Sequence, residues 1–133
     1  GLAFSNASLG AVHALAHSLG GYRELPHGEC NAMLLRHVVA FNFAAVPERY
    51  QAVAMAMGLQ PTQQTPDEIL NWLLTRIDAL RISAGITNTL NSCGITAEDI
   101  PLLAETASLD PCLVTNPRQL SVNDIQMIYA KAL

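Results

Sequence analysis

Helix-start signals followed by apolar residues at helical spacing most constrain how this chain can fold. The segment Thr65-Pro66-Asp67-Glu68 has the pattern of a capping box, with proline at the first helical position. Apolar residues then recur every three to four positions, as they do on one face of a helix. They are Ile69, Leu70, Leu73, Leu74, Ile77 and Leu80. This segment therefore predicts an amphipathic helix.

The same kind of signal recurs along the chain. Thr96–Asp99 and Ser121–Asp124 each pair an N-cap residue with acids that favour a helix N-terminus, and Gly20, Gly58 and Gly94 are expected to end helices. No long segment alternates with period two, and no Asn-Gly or Asp-Gly hairpin signal occurs. We therefore predict an all-α helical bundle forming one domain over residues 1–133. Its helices are expected at 5–18, 28–44, 47–57, 66–83, 97–108 and 121–132, with a short turn at 86–92.

Composition excludes several classes of protein. Hydrophobic residues make up 50% of the chain and charged residues 14%, which excludes a disordered chain. A net charge of -4 without a basic run argues against nucleic-acid binding. No apolar run approaches the roughly 20 residues of a membrane span, and no signal peptide is visible. Three cysteines without CxxC spacing indicate a reducing compartment, so a cytoplasmic location is expected.

All four histidines lie between His13 and His37, in one short segment. His13 and His17 are four residues apart, so in a helix they share a face about 5–6 Å apart. The break at Gly20-Gly21 can end that helix, and Pro26 can direct His27 back towards the same face. Imidazoles suit zinc, iron, nickel or copper, so the spacing indicates half of a metal site. A surface or packing role for the HxxxH pair stays open, and the pair lacks the glutamate of a zincin.

Longer stretches of the sequence resemble a known family. They are AFSNASLGAVHALAHSLGGYRELPHGECNAMLL, AVPERYQAVAMAMG and TNPRQLSVNDIQMIYAKAL. These stretches resemble the C-terminal domain of the iron-containing alcohol dehydrogenases, nearest their propanediol dehydrogenase and lactaldehyde reductase branch. The chain opens at Gly1 on helix-like sequence, so we expect a fragment that lacks the family's N-terminal nucleotide-binding domain.

The resemblance implies an activity for the full-length protein. The family transfers hydride between a short-chain alcohol or diol and NAD or NADP, with Fe²⁺, or alternatively Zn²⁺, as a Lewis acid. Its active site lies in the cleft between the two domains, and the N-terminal domain binds most of the cofactor. The isolated fragment is therefore expected to be inactive, and the full-length protein to form a homo-oligomer. The alternative is a stand-alone helical module that binds metal or protein without catalysis.

The resemblance also assigns roles to particular residues. It implies that His13 and His27 are metal ligands, whereas His17 is a catalytic residue near the nicotinamide and the substrate. The spacing of the HxxxH pair alone would have suggested His17 as a ligand. Phe4 and Cys112 match positions that line the substrate pocket.

Other residues are expected to be structural. His37 is predicted to pack between helices, and Cys30 and Cys93 to be small buried residues. The same structural expectation applies to Asn116 and Arg118. The family usually has proline where this chain has Arg36, a change that restores a backbone donor.

Overall fold

The computed structural model describes Ser5 and residues 8–60 and 64–133. Within that part of the chain there are six α-helices and two 3-10 helices, without any strand. The α-helices are α1 (Ala11–Arg23), α2 (His27–Phe43), α3 (Pro47–Ala56), α4 (Pro66–Ser83), α5 (Ile100–Ser108) and α6 (Val122–Ala132). The 3-10 helices span Asn91–Cys93 and Pro111–Thr115. The predicted all-α fold is confirmed, and none of the described helices is long and apolar enough to cross a membrane.

The starts of α4 and α6 follow the predicted capping chemistry. Thr65 accepts a hydrogen bond from the Glu68 backbone N–H, and the Glu68 carboxylate accepts one from the Thr65 backbone N–H. Ser121 and Asp124 form the same reciprocal pair at α6. Because both pairs satisfy backbone donors that would otherwise lack partners, these two helices begin within one residue of the predicted positions.

The first helix differs from its prediction at both ends. Part of the predicted start lies outside the described residues. Residues 8–10 are not helical, and Ser8 has a φ of 58°. Gly20 does not end the helix, which continues to Arg23. A Cβ at Gly20 would lie 3.3 Å from the Leu25 carbonyl oxygen, so this glycine accommodates the chain returning beside the helix.

The fifth helix begins at Ile100, three residues later than predicted. A helix that started at residue 97 would place Pro101 in its interior, where the missing N–H and the proline ring break the helical pattern. Starting at Ile100 moves Pro101 into the first turn, where proline is tolerated. Asp99 instead accepts hydrogen bonds from the Thr96 backbone N–H at 2.8 Å and hydroxyl at 3.0 Å.

Helices α1, α2, α5 and α6 surround the main apolar core. Two buried hydroxyls connect its members. Ser18 donates to the Leu103 carbonyl at 2.8 Å, and Tyr129 donates to the Leu15 carbonyl at 2.8 Å. Burial raises the pKa of Tyr129 well above its ordinary range. Cys30 is fully buried in this core. The core thus holds one side of α1, and His17 on the other side is exposed.

A smaller apolar cluster joins α3 and α4 to the end of α2. Here α2 runs unbroken through Arg36, whose guanidinium lies 2.5 Å from the Asp78 carboxylate on α4. Arg36 therefore both continues the helix and pairs it with its neighbour. Such a partly exposed pair contributes about 0–1 kcal/mol.

Candidate metal centre

Three imidazoles converge on the exposed face of α1. His13 and His17 lie one turn apart on that helix, and His27 is the first residue of α2. Nδ1 of His13 lies 3.0 Å from Nε2 of His27. The His17 ring stacks on the His27 ring with centroids 5.0 Å apart. One nitrogen from each of the three rings lies within 4.8 Å of the others. The structure therefore brings His27 back to the HxxxH face.

The short connection between α1 and α2 accounts for this convergence. The helix ends where Glu24 adopts a left-handed conformation with a φ of 52°. Only Leu25 and Pro26 then separate it from His27. The Pro26 carbonyl accepts hydrogen bonds from the Glu29 and Cys30 backbone N–H groups at 3.0 and 3.1 Å. These bonds start α2 and place the His27 side chain beside α1.

The other end of α1 is held by a residue from the distant C-terminal part of the chain. Oδ1 of Asn116 accepts hydrogen bonds from the Ala11 backbone N–H at 3.1 Å and from Nδ2 of Asn42 at 2.9 Å. Arg118 donates to the Phe41 carbonyl at 3.1 Å and stacks over its ring. These contacts support the structural role expected for Asn116 and Arg118. They hold α1 against α2. They therefore also set the position of His13 and His17 relative to His27.

The surroundings of His13 favour an imidazole that can bind a cation. Burial lowers the pKa of His13, and the neighbouring His27 and His17 lower it further by charge repulsion. A neutral imidazole has the free lone pair that a metal needs. Two nitrogens bound at right angles to one ion at about 2.1 Å would lie about 3.0 Å apart. The observed 3.0 Å between His13 and His27 matches that spacing, so these residues fit a shared divalent ion.

The Asn31 side chain lies beside His27 and has one polar atom without a hydrogen-bond partner among the described residues. Its Nδ2 lies 2.8 Å from Nε2 of His27 and donates to the His27 carbonyl at 3.1 Å. Its Oδ1 is buried and finds no hydrogen-bond partner among the described residues. Such buried acceptors are rare and indicate a missing polar group. The unpaired Oδ1 of Asn31 therefore suits a further polar ligand on the His27 side of the cluster.

His17 has a different partner from the other two histidines. Its Nδ1 lies 2.8 Å from Oδ2 of Asp110, a residue just after α5. Asp110 also accepts a hydrogen bond from the Cys112 backbone N–H at 2.8 Å, which caps the 3-10 helix there. Although burial opposes it, the hydrogen bonds from Cys112 and His17 lower the pKa of Asp110. The carboxylate is therefore ionised and holds the Nδ1 edge of the His17 ring.

Sequence reasoning did not single out Asp110. The available signal was Asp110-Pro111, an N-cap followed by proline at the first helical position. That signal predicts a turn and not a partner for a histidine 93 positions away. Cys112 is half-buried on the same turn, and burial and the Asp110 carboxylate raise the pKa of its thiol.

A cavity of about 460 Å³ opens beside His17 and Asp110. Apolar side chains of α5 and the residue that follows it line much of the wall, among them Leu102, Leu103 and Leu109. Of the two predicted pocket residues, Cys112 is not among the residues that line this cavity, and Phe4 lies outside the described residues. His37 is half-buried in α2, away from the cluster, and burial lowers its pKa.

The described residues form a helical bundle that gathers three imidazoles and a carboxylate at one face, a set of donor atoms that suits a divalent metal ion. The comparisons identify the family. The sequence model of the Fe-containing alcohol dehydrogenase family, C-terminal part, matches residues 1–133. The chain therefore belongs to the iron-containing alcohol dehydrogenase family, as the resemblance predicted.

Individual relatives agree with this assignment. The chain is 39% identical to lactaldehyde reductase of Escherichia coli over 132 residues, which cover 99% of this chain and 35% of that protein. It is 38% identical to 1,3-propanediol dehydrogenase of Klebsiella pneumoniae, covering 99% of this chain and 34% of that protein. A crystal structure of 1,3-propanediol oxidoreductase superimposes with a TM-score of 0.94 at 38% identity, covering all of this chain and 35% of that one. The chain thus spans about a third of the length of these relatives.

Proposed function

We propose that this chain is the C-terminal metal-binding domain of an NAD(P)-dependent alcohol dehydrogenase. The whole enzyme would interconvert short-chain alcohols or diols and aldehydes by hydride transfer. Three of the proteins it resembles carry the names lactaldehyde reductase, 1,3-propanediol dehydrogenase and NAD-dependent methanol dehydrogenase. The observation that carries the proposal is the 3.0 Å approach of His13 and His27.

His13 and His27 hold the metal in this proposal, Fe²⁺ by family membership and Zn²⁺ as the alternative. Imidazole nitrogen is a suitable donor for either ion. Two imidazoles leave positions for further ligands, which the N-terminal nucleotide-binding domain would supply. When bound, the ion supplies Lewis acidity that polarises a carbonyl oxygen or stabilises an alkoxide.

His17 orients the substrate and moves a proton in this proposal. With Asp110 ionised, the hydrogen bond between them places the proton on Nδ1 of His17. Nε2 is then the free acceptor that can exchange a proton with the substrate oxygen or with water. Asp110 acts through His17 as a positioning residue, and the capping bond from Cys112 holds Asp110 in place.

The apolar cavity beside His17 suits the aliphatic part of a short alcohol or diol. Its leucine-rich wall offers apolar contacts to the carbon chain of the substrate, and no lysine or arginine lines it to hold a charged substrate. Cys112 and Phe4 are proposed to line the pocket from the turn after α5 and from the N-terminal segment. The nicotinamide would approach His17 from the N-terminal nucleotide-binding domain of the whole enzyme. The full-length protein is proposed to be a cytoplasmic homo-oligomer.

A fusion protein tests this function. The part of Escherichia coli lactaldehyde reductase outside the matched 132 residues is joined to this chain. We expect metal-dependent oxidation of NADH with short aldehydes. In the fusion, His27→Ala should remove metal and activity together. His17→Ala should retain metal and lower turnover about 10²- to 10⁴-fold, the usual cost of losing a proton-transfer group.

His37→Ala is the matched control, because His37 lies on α2 but outside the cluster. It should retain both metal and turnover. Equal loss of metal in the His17 and His27 variants would show that His17 is a ligand. Full activity of the His27 variant would exclude the proposed metal site. The isolated chain should show no turnover. Measurable activity above a chelated control would contradict the proposal that catalysis also needs the N-terminal nucleotide-binding domain.

A further inference from the structure

The described residues contain a second group of metal-binding atoms beside the imidazole cluster. Nδ1 or Nε2 of His17, a carboxylate oxygen of Asp110 and Sγ of Cys112 lie within 4.8 Å of one another. We propose that these three side chains form a separate site for a thiophilic divalent cation, with Zn²⁺ as the best match. The site goes beyond the proposed function, which assigns these residues to the substrate side and not to metal binding.

The spacing of the donor atoms suits zinc. Nδ1 of His17 already lies 2.8 Å from Oδ2 of Asp110. Donor atoms around a tetrahedral zinc ion are about 3.4–3.6 Å apart, from bond lengths of about 2.0–2.3 Å. The donor atoms all lie within 4.8 Å of one another, so bringing any pair to the zinc spacing takes at most about 1.3 Å of movement, which side-chain rotation supplies. A water molecule completes the fourth position.

The donor chemistry distinguishes this site from the imidazole cluster. Thiolate sulfur selects zinc and other soft ions, whereas His13 and His27 offer only nitrogen. On binding, the Cys112 thiol releases its proton to water, and the Nδ1 proton of His17 moves to Nε2 as the ring changes tautomer. One thiolate and one carboxylate then balance the two positive charges of the ion. A neutral complex suits this half-buried position better than an unpaired charge.

The positions of the three residues are prearranged and reachable. Asp110 and Cys112 belong to one short turn, and the backbone N–H of Cys112 donates to Oδ1 of Asp110, which leaves Oδ2 for an ion. His17 comes from α1, whose contacts with the core fix its direction. The His17 side chain is 44% exposed, so an ion can reach the site from solvent.

Occupation of this site would change the role of His17. A cation on Nδ1 replaces the proton that Asp110 holds there and takes His17 out of its contact with that carboxylate. The site would then act as an inhibitory zinc site in the whole enzyme. This consequence rests on the proposed function, whereas the existence of the site does not.

Cobalt substitution on the 133-residue chain tests the site directly. Co²⁺ is a spectroscopic stand-in for Zn²⁺, and a thiolate ligand gives it an intense near-ultraviolet sulfur-to-cobalt charge-transfer band. Titration of a chain that carries His13→Ala and His27→Ala, with a phosphine reductant present, should give this band with one equivalent per chain, and Zn²⁺ should abolish it. Cys112→Ser should remove the band. Asp110→Asn and His17→Ala should weaken cobalt binding by at least about tenfold, the lower end of the loss caused by removing even a supporting group.

Cys93→Ser is the matched control, because Cys93 is also half-buried but lies outside the group. It should keep the band when added to His13→Ala and His27→Ala, which remove the other cluster. A band that survives Cys112→Ser, or no band from the folded double variant with Cys112 intact, would overturn the proposal. The second measurement needs no variant: Zn²⁺ should protect Cys112, but not Cys93, from alkylation mapped by mass spectrometry. Failure of the His13 and His27 site would leave these results unchanged, so the two proposals fail separately.

Discussion

Nδ1 of His13 and Nε2 of His27 lie 3.0 Å apart, although one residue is near the start of α1 and the other begins α2. A reversal through Glu24, Leu25 and Pro26 produces this contact. In the proposed metal site, binding therefore depends on how α1 and α2 are packed against each other, and not on one helix face. The HxxxH pair, by contrast, divides its two histidines between different partners, since His17 bonds to Asp110.

The cap on α1 is expected to be important for stability. Asn116→Ala removes the acceptor for the Ala11 backbone N–H and the partner of the buried Asn42 side chain. Leaving such groups unpaired typically costs about 1–3 kcal/mol each, so a loss of about 2 kcal/mol or more in the free energy of unfolding is expected. Urea denaturation followed by circular dichroism measures it. Gln119→Ala, at a nearby exposed position, should change stability by less than about 0.5 kcal/mol. Equal effects of the two substitutions would contradict the capping role.

The Asp110 carboxylate is expected to set the tautomer of His17. In the wild-type chain, nitrogen NMR should show the proton on Nδ1 of His17, because Nδ1 faces an ionised carboxylate. Asp110→Asn removes that charge, so a mixed population of tautomers is expected. The exposed Asp67→Asn is the control and should leave the His17 spectrum unchanged. A wild-type spectrum with the proton on Nε2 would show that Asp110 does not position the ring.

Stability should fall in acid partly through Asp99. Hydrogen bonds from Tyr22 and then from Thr96 hold the pKa of the Asp99 carboxyl below its ordinary value of 3.8. A carboxyl with a lowered folded-state pKa stabilises the fold above its unfolded pKa. That stability is lost as the pH falls through the folded-state pKa. Asp99→Asn should therefore flatten the dependence of the free energy of unfolding on pH below about pH 4.

The matched control for Asp99 is its neighbour Glu98, an exposed residue at the same turn. Glu98→Gln should keep the acid dependence of the wild-type chain when both are unfolded in urea over the same pH series. If Asp99→Asn leaves the slope unchanged while Glu98→Gln reduces it, the hydrogen bond from Tyr22 does not determine the acid sensitivity.

Local signals predicted most of the fold. Capping boxes at Thr65 and Ser121 act between residues close in sequence, and the structure contains both. The errors arose where tertiary contacts override a local signal. Gly20 looks like a helix stop, but it lies inside α1, where a Cβ would come within 3.3 Å of the Leu25 carbonyl oxygen. The start of α5 depends on the position of Pro101 in the first turn.

The candidate site was only partly predictable for the same reason. The spacing of His13 and His17 placed them on one face, and the turn after Gly20 suggested that His27 could return to it. Spacing cannot show that His17 bonds to a carboxylate 93 residues away, since that contact depends on the packing of α1 against the turn after α5. The family resemblance separated His17 from the ligands. The Asp110 contact gives a physical reason for that separation.

Metal titration of the 133-residue chain tests directly whether His13 and His27 hold the metal. The measurement is calorimetric titration with Fe²⁺ without oxygen, in a Cys112→Ser background that removes the thiolate of the neighbouring group. His13→Ala and His27→Ala should each weaken binding by at least about tenfold. His17→Ala should change the Fe²⁺ affinity by no more than about twofold. Losing even a residue that hydrogen-bonds to a metal ligand typically costs about tenfold or more. Binding abolished by His17→Ala but unchanged by His27→Ala would contradict the account and make the HxxxH pair the metal site.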